Sequence, residues 1–340
     1  MLVVVSNTLA LVVVVALALV GWGWLKDDLA GFGGPVAVES PTPTGPNPTA
    51  PTPTATQPSA TTQPSVTTQP STSKPTTNKP SAKPTPAPPA VTNAPPATVP
   101  RVDWGPLPKP TATDSWGWLL QQGPLNAQKI PTATCPRLPD PIPSGPAFRA
   151  LANKLVDCEL ARWTKPVADS GHTLERPAVT FFNGTVNSEC GNVRNSQVSF
   201  YCGAGTGTIY VHTRVTRESN EGWRLRLAET IVHEFFHHVQ ATTGILEARY
   251  RVVQAGMNDD EASRRTELQA LCVSTRILAT TPAWGFTRQD YNLIAYSLRH
   301  TPQDAQHGST TSNDYWGRRG FSMVLVGGCN TWTVPASRVS

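Results

Sequence analysis

The sequence of 340 residues predicts an α+β domain that follows an apolar N-terminal helix and a proline-rich stalk. Three observations predict this organisation. The first 25 residues are almost wholly apolar, 19 of the 34 prolines lie between residues 35 and 100, and all six cysteines lie after residue 130. We therefore assign residues 1–25 to an anchor or signal, 26–123 to a linker, and 124–340 to one domain of about 215 residues.

The N-terminal segment is predicted to be a single transmembrane helix. Its apolar run approaches the ~20 residues that cross a bilayer, and Trp22 and Trp24 at its end suit the membrane interface. A cleaved signal peptide is the alternative, because Ala16 and Ala18 form an AxA pattern within the run. The basic n-region of a signal peptide is missing, which favours a retained anchor.

Residues 35–100 are predicted to form a disordered, extended stalk. Proline, threonine, serine, alanine and glutamine dominate this segment, which cannot bury enough apolar surface to offset the entropy lost on ordering. A spacer is the favoured interpretation, and a ligand for proline-binding domains is the alternative. The segment after the stalk, residues 101–130, contains three tryptophans, Trp104, Trp116 and Trp118. The sequence does not determine what these tryptophans contact.

Helices and strands are both expected in the domain. Apolar spacing predicts helices over 146–163, 223–243 and 258–279, and β-rich runs predict strands over 178–182 and 198–213. The second strand run is interrupted by Gly203–Gly207. The GAGTG sequence of this interruption suggests a phosphate loop, but no helix opens after it, so a hairpin turn is predicted.

The helix over 223–243 carries the sequence HEFFH. Its apolar residues form a stripe that faces a core: Leu225, Ala228, Ile231, Val232, Phe235 and Val239. His233 and His237 are four residues apart, so both imidazoles can reach one metal ion. Glu234 lies about 100° round the helix from His233, where it flanks the metal as a general base. The pattern predicts a zinc site.

Catalytic zinc takes three protein ligands and leaves one position for water. The third ligand is expected downstream, and Glu267 in the sequence ELQALC lies within the predicted helix over 258–279. Glu247 and Glu261 are competing candidates from spacing alone.

Three blocks of this chain resemble a known family. HEFFHHVQ, ELQALC and QHGSTTSNDYWGRRGF are similar in order and spacing to HEFGHHVQ, ELQADC and the HG[ST] segment ending in RRGF of the bacterial putative neutral zinc metallopeptidase family. The resemblance runs from about residue 124 to residue 329. It implies Zn²⁺ bound by His233, His237 and Glu267, with Glu234 as the catalytic base.

The resemblance also implies a zincin-like fold with an active-site helix and a small edge-strand sheet. In such folds a strand like Thr208–Thr213 lies at the sheet edge beside the cleft and pairs with an extended peptide.

Besides zinc, a second group is needed to donate a hydrogen bond to the oxyanion of the transition state. His307 in the HGS block is the candidate, and Tyr315 is the alternative donor.

This chain departs from the family pattern at two positions. Leu271 replaces an aspartate one turn after the glutamate ligand, and Phe236 replaces the glycine before the second histidine. A carboxylate at position 271 could orient a ligand histidine, and losing such a partner costs ~10- to 100-fold in metal affinity or activity. A phenylalanine at position 236 can pack under the helix.

The six cysteines lie in the domain, and their even number indicates disulfides. Six cysteines allow 15 pairings, so the sequence alone does not fix them. The pairs that we expect are Cys135–Cys158, Cys190–Cys202 and Cys272–Cys329. A structural zinc cluster would need a CxxC motif, which is missing. Paired cysteines indicate an extracytoplasmic location.

The net charge of +5 is modest and the sequence contains no dense run of basic residues, so no nucleic-acid partner is expected. Contact with an acidic cell envelope is compatible with this charge.

The favoured function is a membrane-anchored, extracytoplasmic zinc peptidase acting on peptide or protein substrates. One alternative is a catalytically degenerate envelope protein that keeps the zincin scaffold for binding, and another is a zinc amidase acting on cell-wall peptides. A secreted form is the alternative to the anchored one.

Overall fold

The computed structural model describes residues 95–196, 198–300 and 304–340, without the side chains of 194–196. The predicted anchor at residues 1–25 and residues 26–94 of the predicted linker lie outside the described residues. Within the described part, no helix combines the length and the apolar character needed to cross a membrane.

Eight α-helices and five strands make up the described part of the chain, and the predicted α+β class is confirmed there. The helices are α1 (Ser115–Gln122), α2 (Gly145–Asp169), α3 (Val215–Glu221), α4 (Arg226–Thr242), α5 (Ile245–Gln254), α6 (Asp259–Thr280), α7 (Arg288–His300) and α8 (Thr310–Gly320). The strands are β1 (Ala178–Phe182), β2 (Gly184–Ser188), β3 (Gly191–Ser196), β4 (Phe200–Cys202) and β5 (Thr208–His212). All five predicted elements are present, and α2 runs six residues beyond its predicted end.

The sheet has the order β1-β5-β4, with β5 parallel to β1 and antiparallel to β4. The turn at Gly203–Gly207 joins β4 to β5 as a hairpin, as predicted. The prediction that Thr208–Thr213 lies at the sheet edge is wrong. One side of β5 is paired with its hairpin partner and the other side with β1, so β4 and β1 form the edges. The hairpin of β2 and β3 packs Val193 into a small second core beside Phe200 and Tyr210.

The main core surrounds α4, which packs against α2 and α6. Every residue of the predicted apolar stripe of α4 is buried. Phe236 is also fully buried, and its ring lies 5.3 Å from that of Trp163 in α2, as expected for a side chain that packs under the helix. The glycine of the RRGF block, Gly320, lies against the carbonyl of Cys272 in α6, so α8 approaches α6 closely.

The three expected disulfides, Cys135–Cys158, Cys190–Cys202 and Cys272–Cys329, are confirmed. The first joins the chain before α2 to α2 itself. The second joins the β2–β3 hairpin to strand β4, and the third ties α6 to the segment after α8.

The packed part of the chain begins before the predicted boundary at residue 124. Trp104 packs edge-on against Tyr315 of α8 at 5.4 Å, and Arg319 donates hydrogen bonds to the carbonyls of Trp104 and Gly105. Helix α1 buries Leu120. The other two tryptophans of this segment, Trp116 and Trp118, are 40% and 45% exposed.

Candidate metal centre

Helices α4 and α6 bring three potential ligand atoms together. The Nε2 atoms of His233 and His237 lie 3.1 Å apart, and Oε2 of Glu267 lies 3.1 Å from the first and 3.2 Å from the second. The sequence-predicted ligands therefore converge. The two competing carboxylates lie elsewhere, because Glu247 pairs with Arg251 and Glu261 pairs with Arg265.

The donor set fits a zinc ion. Two imidazole nitrogens and a carboxylate oxygen are ordinary zinc ligands, and a tetrahedral ion ~2.0–2.1 Å from each donor separates the donors by about 3.3 Å. The observed separations of 3.1–3.2 Å are close to this value. Among the described residues, one other group of metal-binding side chains meets, namely Cys135, Cys158 and Glu159, but its cysteines form a disulfide.

Glu234 lies beside this group and is 4% exposed. Its Oε2 atom is buried and has no hydrogen-bond partner among the described residues. A buried carboxylate oxygen without a partner is costly, and such groups occur at functional sites. Burial raises the pKa of Glu234 and outweighs the opposing charges of His233 and His237. The side chain is thus suited to accept a proton.

Gln240 lies one turn after His237 and is fully buried. Its Oε1 atom is 2.8 Å from Nδ1 of His237, and its Nε2 donates to the carbonyl of Thr266 and to Oε1 of Gln269. This contact orients His237, which is the role expected of a carboxylate at position 271. Leu271 itself is partly buried against the main core.

The histidines and Glu267 influence each other strongly. Burial lowers the pKa of His237, but the charge and hydrogen bond of Glu267 outweigh burial and raise that pKa to about 9. Burial likewise disfavours the charged form of Glu267, yet the charge of His237 and the hydrogen bonds of both histidines hold its pKa well below the usual value. Glu267 is therefore ionised at neutral pH.

His307 lies close enough to Glu267 and His237 for their charges to affect its pKa. Its Nδ1 is 2.8 and 2.7 Å from the two carboxylate oxygens of Asp304. The alternative donor, Tyr315, is engaged in another contact. Its hydroxyl accepts from Arg319, and its ring packs against Trp104.

Sequence reasoning missed three residues around the site: Gln240, Asp304 and His238. The Nε2 of His238 donates to the carbonyl of Glu175, so its Nδ1 accepts from the hydroxyl of Tyr201 on β4. This pair of bonds fixes the sheet edge to α4. The signal for His238 and Gln240 was their place in the HEFFHHVQ block. The one sequence signal for Asp304 was its position three residues before His307.

Residues 147–292, which include all three converging ligands, match the family model described as "Putative neutral zinc metallopeptidase". This match confirms the resemblance found in the three sequence blocks. The description of this neutral zinc metallopeptidase family names zinc as its metal.

Curated relatives carry no assigned activity. "Uncharacterized protein YpfJ" of Escherichia coli strain K12 is 26% identical over 199 residues, covering 50% of this chain and 66% of the relative. "Uncharacterized protein Rv2575" of Mycobacterium tuberculosis is 32% identical over 133 residues, covering 36% of this chain and 43% of the relative. The chain thus spans less than two thirds of the length of either relative. No solved structure matches the chain.

Proposed function

We propose that this protein is a zinc-dependent peptidase that hydrolyses peptide bonds in peptide or protein substrates. The observation that carries the proposal is the convergence of His233, His237 and Glu267 within 3.2 Å of one another, beside the buried, unpaired oxygen of Glu234. Two imidazoles and one carboxylate leave one tetrahedral position open, as hydrolytic zinc sites require.

In this proposal His233, His237 and Glu267 hold the metal, and Glu234 moves the proton. A zinc ion in this site supplies Lewis-acid activation of a water molecule and polarisation of the scissile carbonyl. Glu234 accepts a proton from the attacking water and delivers it to the leaving amine, which its raised pKa favours. His307 donates a hydrogen bond to the oxygen on which negative charge develops.

The sheet edge next to α4 supports binding of an extended substrate. Among the described strands, β4 pairs only with β5, so the other edge of β4 has no strand partner. Tyr201 of β4 is tied to His238, the neighbour of the ligand His237. An extended peptide adding to β4 would therefore run beside the metal ligands, with main-chain hydrogen bonds supplying affinity.

We further propose that the domain works outside the cytoplasm, held at the membrane by residues 1–25 or secreted if this segment is cleaved. Three disulfides support an oxidising compartment. Contact with the acidic cell envelope fits the net charge of +5.

The test combines metal analysis with two substitutions in the purified protein. We expect one zinc per chain, loss of zinc in Glu267→Ala, and zinc retained but peptide hydrolysis abolished in Glu234→Gln. Glu247→Gln is the matched control, because Glu247 pairs with Arg251 at the surface and should change neither property.

The alternative of a catalytically degenerate binding protein, suggested by Leu271, makes the opposite prediction. A folded wild-type protein that binds no zinc, or one whose hydrolysis survives Glu234→Gln, would overturn the peptidase proposal. Profiling with peptides and with cell-wall fragments would separate a peptidase from a zinc amidase.

A further inference from the structure

Asp304 and His307 form a carboxylate–imidazole pair at the edge of the metal centre. Asp304 Oδ1 accepts from the backbone N–H groups of Gln306 and His307, and both carboxylate oxygens lie within 2.8 Å of the His307 Nδ1. One carboxylate thus fixes both the backbone and the ring of His307. Such a pair commonly sets the tautomer and orientation of an imidazole.

The loop that carries His307 is fixed from two further sides. The amide of Asn313 in α8 donates to the carbonyls of His307, Gly308 and Ser309. Arg264, one turn before the ligand Glu267 on α6, donates to the carbonyl of Ala305. The ring therefore has a defined position relative to the helix that bears Glu267.

The second ring nitrogen of His307 has no hydrogen-bond partner among the described residues. Since Nδ1 is bound to Asp304, Nε2 is the atom available to a substrate. We propose that Asp304 is a positioning residue that orients His307 so that its Nε2–H is donated to the reacting carbonyl oxygen at the metal centre. This inference rests on the proposed function and adds a residue to it.

Electrostatics agree with this geometry. A carboxylate at Nδ1 stabilises the doubly protonated ring, in which Nε2 carries a proton to donate. Burial lowers the pKa of His307, but the hydrogen bond of Asp304 and the charges of Glu267 and Asp304 outweigh it, so the pKa is raised despite the opposing charge of His237. The pKa of Asp304 is lowered, since its bonds to His307 and Gln306 outweigh burial.

A double-mutant cycle on the zinc-loaded protein tests the proposal, with a quenched fluorescent peptide library as the probe. Asp304→Asn keeps an acceptor for the backbone N–H groups but removes the negative charge that faces the ring. We expect it to lower kcat at least about tenfold with little change in KM, and His307→Leu to lower kcat about 100-fold. In the His307→Leu background, Asp304→Asn should have almost no further effect, because Asp304 acts through His307.

A second readout does not depend on turnover. In protein labelled with ¹⁵N-histidine, the Nδ1–H resonance of His307 should shift in Asp304→Asn, while zinc affinity and the melting temperature stay as in the wild type. Asp169→Asn is the matched control, because this exposed carboxylate pairs with Lys165 one turn earlier on α2. It should leave the resonance and kcat unchanged.

Two results would overturn the inference. If the effects of the two substitutions on kcat multiply, or if Asp304→Asn leaves kcat and the resonance unchanged, Asp304 is a structural loop residue. If the wild-type protein binds no zinc and cleaves no peptide, the proposed function fails as well, which the wild-type measurement alone reveals.

Discussion

The side-chain oxygen of Gln240 lies 2.8 Å from Nδ1 of His237, and the direction of this hydrogen bond is fixed. The amide nitrogen of Gln240 faces two acceptors, the carbonyl of Thr266 and Oε1 of Gln269, so its oxygen must face the imidazole. His237 therefore carries a proton on Nδ1, and Nε2 is the ring atom that faces His233 and Glu267. Because Thr266 precedes Glu267, the same amide also sets the spacing of the two ligand helices.

Replacing Gln240 by leucine is expected to weaken zinc binding about 10- to 100-fold, because His237 loses the acceptor that fixes its tautomer. Zinc affinity can be measured by competition with a fluorescent chelator. Gln254→Leu is the control, because the side chain of this exposed glutamine donates to the hydroxyl of Tyr250 on the same helix. Equal affinities of the two variants would show that Gln240 does not orient the ligand.

Zinc affinity should fall as the pH is lowered. With a pKa of about 9, His237 is protonated on Nε2 at neutral pH, and zinc must displace this proton. Glu267 stays ionised in this range because its pKa is well below the usual value. The apparent affinity is therefore expected to drop about tenfold for each unit of pH below 9. Calorimetric titrations at pH 6, 7 and 8 measure the slope, and a flat profile would contradict a protonated His237.

Alanine at position 320 should destabilise the fold. A Cβ atom there would meet the carbonyl oxygen of Cys272 and the hydroxyl of Thr275 in α6, and a backbone carbonyl cannot turn away. We expect the free energy of unfolding to fall by about 1–3 kcal/mol, as for other overpacked sites. Gly203→Ala is the control, since its Cβ would make ordinary contacts with Tyr201 at 3.5 Å. Urea unfolding of both variants gives the comparison.

A protein that begins at residue 124 should be less stable than one that begins at residue 95. The shorter chain lacks the buried side chains of Val99 and Leu120 and the carbonyl of Gln121 that accepts from Asn330. Burying one such apolar side chain contributes about 1.5–3 kcal/mol, so the loss is expected to exceed about 2 kcal/mol. Thermal unfolding measures it. Equal melting temperatures would place the start of the folded domain at residue 124, as the sequence predicted.

The sequence alone predicted three of the eight described helices, the strands β1, β4 and β5, and the identity of the three converging side chains. Periodicity along the chain defines a helix face, so the spacing of His233 and His237 was sufficient to put both on one side of α4. Identifying Glu267 as the third ligand also required the resemblance to a family, because the spacing of Glu247 and Glu261 is equally compatible with that role. The cysteine pairs were expected but not fixed by the sequence.

Tertiary structure decided what depends on contacts between distant segments. The sequence gives the pattern of a strand but not its neighbours, which is why β5 was expected at the sheet edge and lies at its centre. The packing of Trp104 against Tyr315, the amide bridge from Gln240 to Thr266 and the pairing of Asp304 with His307 beside Glu267 are likewise invisible to periodicity. Hydrogen bonds and packing between elements depend on three-dimensional position, and only the folded chain supplies it.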